Sequence, residues 1–212
     1  LLNYIKNGEG VSSAQIYSNI WPEKPVDKAK NSKGVILNQL REILTDIEGI
    51  DLITNKGSVS LSISNLFYCD FKEYKQLMGA LLLDTENYSI LQRLIVILKR
   101  GAFLKSLDFE CFDTLKKEFE DEILTIFPPL LESGFKNGKY SEVVQMANIL
   151  NCIDKLNEKV LHFEIVSYIK LNKMDQAKKR YNNYLIAFKH ENGESIPKSF
   201  QEIISKKTSD LR

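Results

Sequence analysis

The chain has 212 residues, 43% apolar and 27% charged, with a formal net charge of +1. This is the composition of an ordinary soluble globular protein, with room for one large domain or two modest ones and a core that needs no covalent staples. Three widely spaced cysteines (Cys69, Cys111, Cys152) form no CxxC pair, and only His162 and His190 stand beside them. A disulfide framework or zinc site is therefore not expected, and a reducing, cytoplasmic compartment is.

No apolar run reaches the length of a membrane span; the longest, around Leu91–Leu98, is broken by Gln92 and Arg93. No signal peptide is visible. The chain opens on Leu1-Leu2-Asn3-Tyr4-Ile5, which reads as a helix interior, so a piece of a longer protein is expected. The part upstream has room for a sensor or a membrane anchor.

Leu1–Lys6 reads as a helix end capped at Asn7-Gly8. Ser12-Ser13 opens a second helix with a serine N-cap; Ile16, Ile20 and Trp21 give its apolar stripe, and Trp21-Pro22 ends it. After a proline-containing turn, Glu23–Asp27, a longer helix is predicted from about Lys28 to Ile47. Its apolar positions are Ala29, Ile36, Leu37, Leu40, Ile43, Leu44 and Ile47. At 100° per residue the opposite face holds Asn31, Val35, Asn38 and Glu42, with Lys28 beside it and Lys30 and Arg41 flanking. Lys33 falls near the apolar side and must snorkel there, or the helix begins later. Between Asp51 and Ser64 the period changes to two. Leu52-Ile53-Thr54 and Val59, Leu61, Ile63 flank Asn55-Lys56-Gly57, which reads as a β-hairpin with one buried face.

From Phe71 onward the pattern is helical, over about 71–83, 87–99, 109–124, 126–137, 140–151, 156–171, 173–188 and 197–205. Breakers are Gly101, Pro128-Pro129, Gly134, Gly138, Asn172, Asn192-Gly193 and Pro197. A repeat at an offset of 34 aligns Asn137-Gly138-Lys139-Tyr140 with Leu171-Asn172-Lys173-Met174. It also superposes Phe127 on Leu161, Leu131 on Ile165, Val143 on Ala177 and Leu150 on Tyr184. That is the period of a tetratricopeptide helix pair. Leu130 breaks the pattern by aligning with Glu164.

No catalytic signature is present: no phosphate-cradling glycine loop, GxSxG or HExxH. His162, among Leu161, Phe163 and Ile165, reads as a structural histidine. The acids of 108–122 read as a solvated helix face. Neither an enzyme nor a cofactor is expected. The one constellation with a mechanism is the helix-turn-helix and hairpin. A helix in the major groove needs an apolar inner face and a polar or basic outer one. Asn31 and Asn38 suit adenine edges and Val35 a thymine methyl. Lys28, Lys30 and Arg41 suit phosphates, and Lys56 at the hairpin tip suits phosphate or the minor groove. The bland alternative makes these the solvent-facing residues of a helical domain.

Charge is divided along this segment. Residues 24–41 carry Lys24, Lys28, Lys30, Lys33 and Arg41 against Asp27, and the next ten carry Glu42, Asp46, Glu48 and Asp51. Residues 1–66 hold seven bases and seven acids. A rival reading follows: a helical interaction scaffold whose winged helix contacts protein rather than DNA.

Residues from about 3 to 205 resemble the SARP-type transcriptional activators, an OmpR-like winged helix followed by a bacterial transcriptional activation domain. The resemblance rests on five segments in the family's order. Val11-Ser12-Ser13 through Ile20-Trp21-Pro22-Glu23 resembles the second helix with its Trp-Pro end. Asn31 and Leu37-Asn38-Gln39-Leu40-Arg41-Glu42-Ile43-Leu44 resemble the recognition helix, and Ile53 to Leu61 the wing. Cys69-Asp70-Phe71-Lys72-Glu73-Tyr74 resembles the Asp-x-x-x-Phe entry to the activation domain, and Leu98-Lys99-Arg100-Gly101-Ala102-Phe103-Leu104 its Tyr-x-Gly-x-Phe-Leu segment. Val59 and Leu98 stand where the family has tyrosine, the recognition helix is less basic, and the family's N-terminal strands are absent. The resemblance implies promoter binding as a dimer on double-stranded DNA, with contacts at Asn31, Asn38, Arg41 and Lys56. It also implies protein contacts through the helical domain, RNA polymerase among the candidates. The expected fold is therefore mainly α: a winged helix-turn-helix with a β-hairpin wing over 1–66, then an α-helical, tetratricopeptide-like domain over 67–212.

Overall fold

The computed structural model describes residues 10–64, 67–85, 87–108, 110–193 and 197–205; the expected helix end at Leu1–Lys6 and its Asn7-Gly8 cap lie outside them. The chain divides into two compact units, Leu1–Met78 and Gly79–Arg212.

The first unit is a winged helix-turn-helix. Strand β1 (Val11–Ser12) leads into helix α1 (Ser13–Ile20), then α2 (Val26–Thr45), β2 (Ile50–Asn55) and β3 (Ser58–Ile63). Ser12 caps α1 with a capping box: its hydroxyl accepts from Gln15 N, and the Gln15 side chain accepts from Ser12 N. Strands β2 and β3 pair antiparallel, Asn55 opposite Ser58, across the two-residue turn Lys56-Gly57, and β1 joins the far side of β3. Gly57 takes φ +88°, a left-handed conformation that favours glycine. Ile50 and Leu61 are buried and Leu52 half-buried, while Asp51 and Ile53 between them face solvent, so the period-2 reading holds.

Helix α2 begins two residues earlier than the pattern predicts and ends two earlier, at Thr45. Its buried stripe is narrower than expected. Ala29 is fully buried and Leu37, Leu40 and Leu44 half-buried, but Ile36, Ile43 and Ile47 are exposed, Ile43 at 64%. The described neighbours of α2, helix α1 and strand β2, cover one side; Ile36 and Ile43 lie on its flank and Ile47 just past its end.

Helix α3 (Asp70–Leu83) carries the chain out of the first unit, burying Phe71, Tyr74, Leu77, Met78 and Leu81 at helical spacing. The second unit continues with α4 (Tyr88–Leu98), α5 (Asp113–Lys136), α6 (Tyr140–Ile153), α7 (Glu158–Lys170), α8 (Met174–Asn192) and α9 (Phe200–Ser205). Consecutive helices from α5 to α8 pack on one another, α5 also meets α7, and α9 packs on α7. The 34-residue offset recurs in the helix starts, Tyr140 and Met174, and in the turns before them. Gly138 and Asn172, at equivalent positions, both take left-handed backbone, φ +72° and +59°.

One expectation fails. The two helices predicted over 109–124 and 126–137 are one helix, α5, with Pro128 and Pro129 inside it. Each proline deprives the carbonyl four residues back of its donor, normally a cost of ~3 kcal/mol or more. Those carbonyls belong to Leu124 and Thr125, both exposed, where water can serve them. Meanwhile Phe119, Ile123, Phe127 and Leu131 run as an unbroken buried stripe across the prolines. Burial on one side thus keeps the two halves in one helix.

Glu164, the misfit of the repeat, is 1% exposed. Its Oε2 accepts from Arg180 Nε at 2.7 Å and Asn151 Nδ2 at 2.8 Å, and Arg180 Nη2 donates to Asn151 Oδ1 at 2.7 Å. Burial pushes the Glu164 carboxyl above its ordinary range, while Arg180 and Asn151 pull the other way. His162 is buried as expected, and its Nδ1 donates to the Ile203 carbonyl at 2.6 Å, tying α9 to α7. The carbonyl can only accept, so the proton sits on Nδ1.

Two expectations test this packing. Arg180→Leu strands a buried carboxyl and lowers unfolding free energy by about 3–5 kcal/mol, whereas Glu164→Leu with Arg180→Leu recovers most of the loss. Urea unfolding of both variants measures the difference, and equal losses would show that the pair is not coupled. Asn172→Val forces a β-branched residue into left-handed backbone and costs about 1–2 kcal/mol, while Asn172→Gly changes stability by a few tenths only. Thermal melts of the two variants give the comparison.

Candidate nucleic-acid interface

The outer face of α2 is built from below. Ala29 has no exposed surface, which seats the front of the helix against its own unit. With Ala29, Leu37, Leu40 and Leu44 turned inward, 3.6-residue periodicity turns Asn31, Val35 and Asn38 outward. All three are exposed, Val35 at 59%. Lys28 and Lys30 are exposed on the same front half, and neither has a hydrogen bond or ion pair among the described residues. Gly34 lies among these residues, and a Cβ added there would meet nothing within 4 Å.

The other bases of residues 24–41 are engaged. Lys33 snorkels, as its position requires. Its Nζ donates to Ser13 Oγ at 2.7 Å and stands 5.5 Å from the centre of the Tyr17 ring, which joins α2 to α1. Lys24 Nζ sits 5.3 Å from the Trp21 ring and donates to Ser32 Oγ at 3.4 Å. Arg41 is exposed but not unattached: Nη1 donates to Asn38 Oδ1 at 2.9 Å and Nη2 to Thr54 Oγ1 at 2.8 Å. Two sequence-predicted residues, Asn38 and Arg41, are thereby brought together with a residue of β2. Lys56 is exposed in the hairpin turn, and the neighbouring Gly57 carbonyl accepts from Ser13 N at 2.7 Å, holding the turn at the start of α1.

The acidic rear half of the helix shrinks in the structure. Only Glu42 lies inside α2. Asp46 is its C-cap, and Glu48 and Asp51 lie beyond it. Sequence reasoning missed Thr54 and Ser13 as partners of the candidate residues. Thr54 stands 13 positions from Arg41 and Ser13 stands 20 from Lys33, and no local pattern marks either pairing. Among the described residues, no helix is long and apolar enough to cross a membrane.

Neither known protein families nor curated proteins give a match to this chain. Among solved structures, the fold is similar to that of Mycobacterium tuberculosis EmbR in complex with a low affinity phosphopeptide, with a TM-score of 0.54 and 19% sequence identity. The similarity covers 92% of this chain and 54% of that one, so this chain spans about half the length of the EmbR structure. At that identity the likeness is one of fold, and it takes in both the winged helix and the helical unit that follows.

Proposed function

We propose that this chain is a transcription regulator of the SARP type, binding double-stranded DNA in a sequence-dependent way through α2. In this reading Lys28 and Lys30 neutralise phosphates at the front of the helix. Asn31, Val35 and Asn38 face base edges in the major groove, and Lys56 meets the backbone beside the wing. The helical part, a tetratricopeptide-like stack, mediates self-association or contact with a protein such as RNA polymerase. The observation that carries the reading is the outer face of α2: exposed amides and two lysines with no partner among the described residues, over a fully buried Ala29, beside a hairpin wing. The fold likeness to EmbR and the SARP-like segments support it over the same span of chain.

A second reading has one observation in its favour. Ile36, Ile43 and Ile47 leave an exposed apolar flank along and just past α2, which suits a protein partner better than a phosphate backbone. In that case the winged unit is a scaffold surface.

Salt separates the two readings. Fluorescence anisotropy of the full-length protein on genomic promoter fragments is expected to show affinity falling steeply with salt, since phosphate contacts release counterions. Lys28→Ala and Lys30→Ala should each weaken all sequences alike and reduce the salt slope by about one, while Asn31→Ala costs about 1–3 kcal/mol on the preferred site alone. Absence of salt-sensitive binding by the wild-type protein would sink the DNA reading. A further variant probes Gly34. Gly34→Ala should stabilise the protein by about 0.5–1 kcal/mol, because the helix gains propensity and the added methyl meets no neighbour. A lower melting temperature would contradict the placement of that face.

A further inference from the structure

We propose that Arg41 is a positioning residue, which sets the orientation of the Asn38 amide for base reading, and not a ligand of phosphate. The proposal rests on the DNA-binding reading above. It starts from the fork of the guanidinium. Its two terminal nitrogens are engaged by two different elements: Nη1 by Asn38 Oδ1 one turn back on α2, and Nη2 by Thr54 Oγ1 on β2. Thr54 is itself fixed, because its backbone lies in the β2–β3 ladder opposite Val59. The guanidinium is planar and rigid, so one oxygen held on the strand defines where the other must sit.

The consequence falls on Asn38. An exposed asparagine amide can present either end to a base, and the two ends carry opposite hydrogen-bonding character. Arg41 has only donors to offer, so Oδ1 must face it. Nδ2 is thereby left as the end not held by Arg41, and the amide reaches DNA with its polarity already chosen. The ordering cost is met before association, which is the condition for a contact that discriminates between bases. Lys28 and Lys30, with no partner among the described residues, lack any such device and suit sequence-independent phosphate contact. The cluster is therefore divided by role. The front of α2 supplies attraction, and the Asn38–Arg41–Thr54 clasp supplies direction. Glu42, the next outward residue after Arg41, adds a negative charge on this face, which also disfavours phosphate there.

The test uses the full-length protein and a randomised double-stranded oligonucleotide library. The best selected site and a scrambled version serve as probes, and the variants are Arg41→Ala, Arg41→Lys, Thr54→Val and Asn38→Ala. Circular dichroism melts confirm that each variant is folded; Thr54→Val keeps a β-branched residue in the strand and serves if Arg41→Ala does not fold. A positioning role predicts an unchanged salt slope on the scrambled probe and a specific-to-scrambled ratio lower by about tenfold, the scale of one lost base contact. Arg41→Lys fails to restore the ratio although the charge is kept, Thr54→Val lowers it in the same direction, and Arg41→Ala adds nothing to Asn38→Ala. A phosphate ligand gives the opposite pattern: a slope smaller by about one, equal weakening on both probes, and rescue by lysine. That pattern overturns the proposal while leaving the DNA reading intact. Failure of the wild-type protein to select any site overturns both.

Discussion

Ser13 is the point on which the winged unit depends. Its backbone N–H donates to the Gly57 carbonyl in the hairpin turn, and its hydroxyl accepts from Lys33 on α2. It is also the first residue of α1, directly after the N-cap and the short β1 strand that pairs with β3. One small residue thus joins the start of the first helix, the tip of the wing and the inner flank of the presented helix. Its backbone donor is one of the orphans every helix N-terminus leaves, and the wing turn satisfies it. The orientation of α2 relative to the hairpin follows from this node and from Arg41 bridging to Thr54 at the other end of the contact. Between the two, α2 needs little buried area to hold its direction, which is consistent with a stripe of one buried alanine and three half-buried leucines.

The helical unit is organised on a different constraint. Helix α7 is buried on nearly every side: Val160, Leu161, Phe163 and Ile165 pack in the core, with His162, Glu164 and Ser167 buried among them. Two of these three buried polar groups find side-chain or backbone partners, while the Ser167 hydroxyl has none among the described residues. Glu164 finds Arg180 and Asn151, and His162 finds the Ile203 carbonyl. These bonds reach into α6, α8 and α9, so the polar residues also define which helices surround α7. Apolar packing alone tolerates sliding of one helix past another; a buried carboxylate with a fixed guanidinium does not. The repeated left-handed turns at Gly138 and Asn172 then bring each following helix back at the same spacing.

The parts legible in the sequence are those governed by local rules. The serine cap, the period-2 hairpin around Lys56-Gly57, and most helix boundaries of the second unit follow from neighbours within a few residues. So does the outward direction of Asn31, Val35 and Asn38, since helical periodicity fixes faces once the inner side is identified. What is not legible depends on distant partners. The roles of Arg41, Lys33 and Glu164 are set by Thr54, Ser13 and Arg180, and the intervening sequence carries no signal of those pairings. The proline pair in α5 shows the same limit from the other direction. A strong local signal for a break is overridden by a buried stripe that only tertiary packing supplies.

Charge shows why a sum over a segment is a poor guide to what its surface presents. Residues 1–66 carry as many acids as bases, yet four of the seven acids fall after Arg41. Roughly 27 Å of helix separates Lys28 from Asp46, while salt screens exposed charges beyond about 8 Å at physiological ionic strength. Glu48 and Asp51 lie farther along the chain, past the helix, and of the four acids after Arg41 only Glu42 lies within it. A phosphate approaching the front of α2 therefore meets Lys28 and Lys30 with little opposition beyond Asp27. A neutral segment can present a basic end, and attraction of this kind is local, salt-sensitive and modest. An interface with so few unengaged bases has to draw its selectivity from oriented neutral groups, and the amides of Asn31 and Asn38 are the groups this helix turns outward.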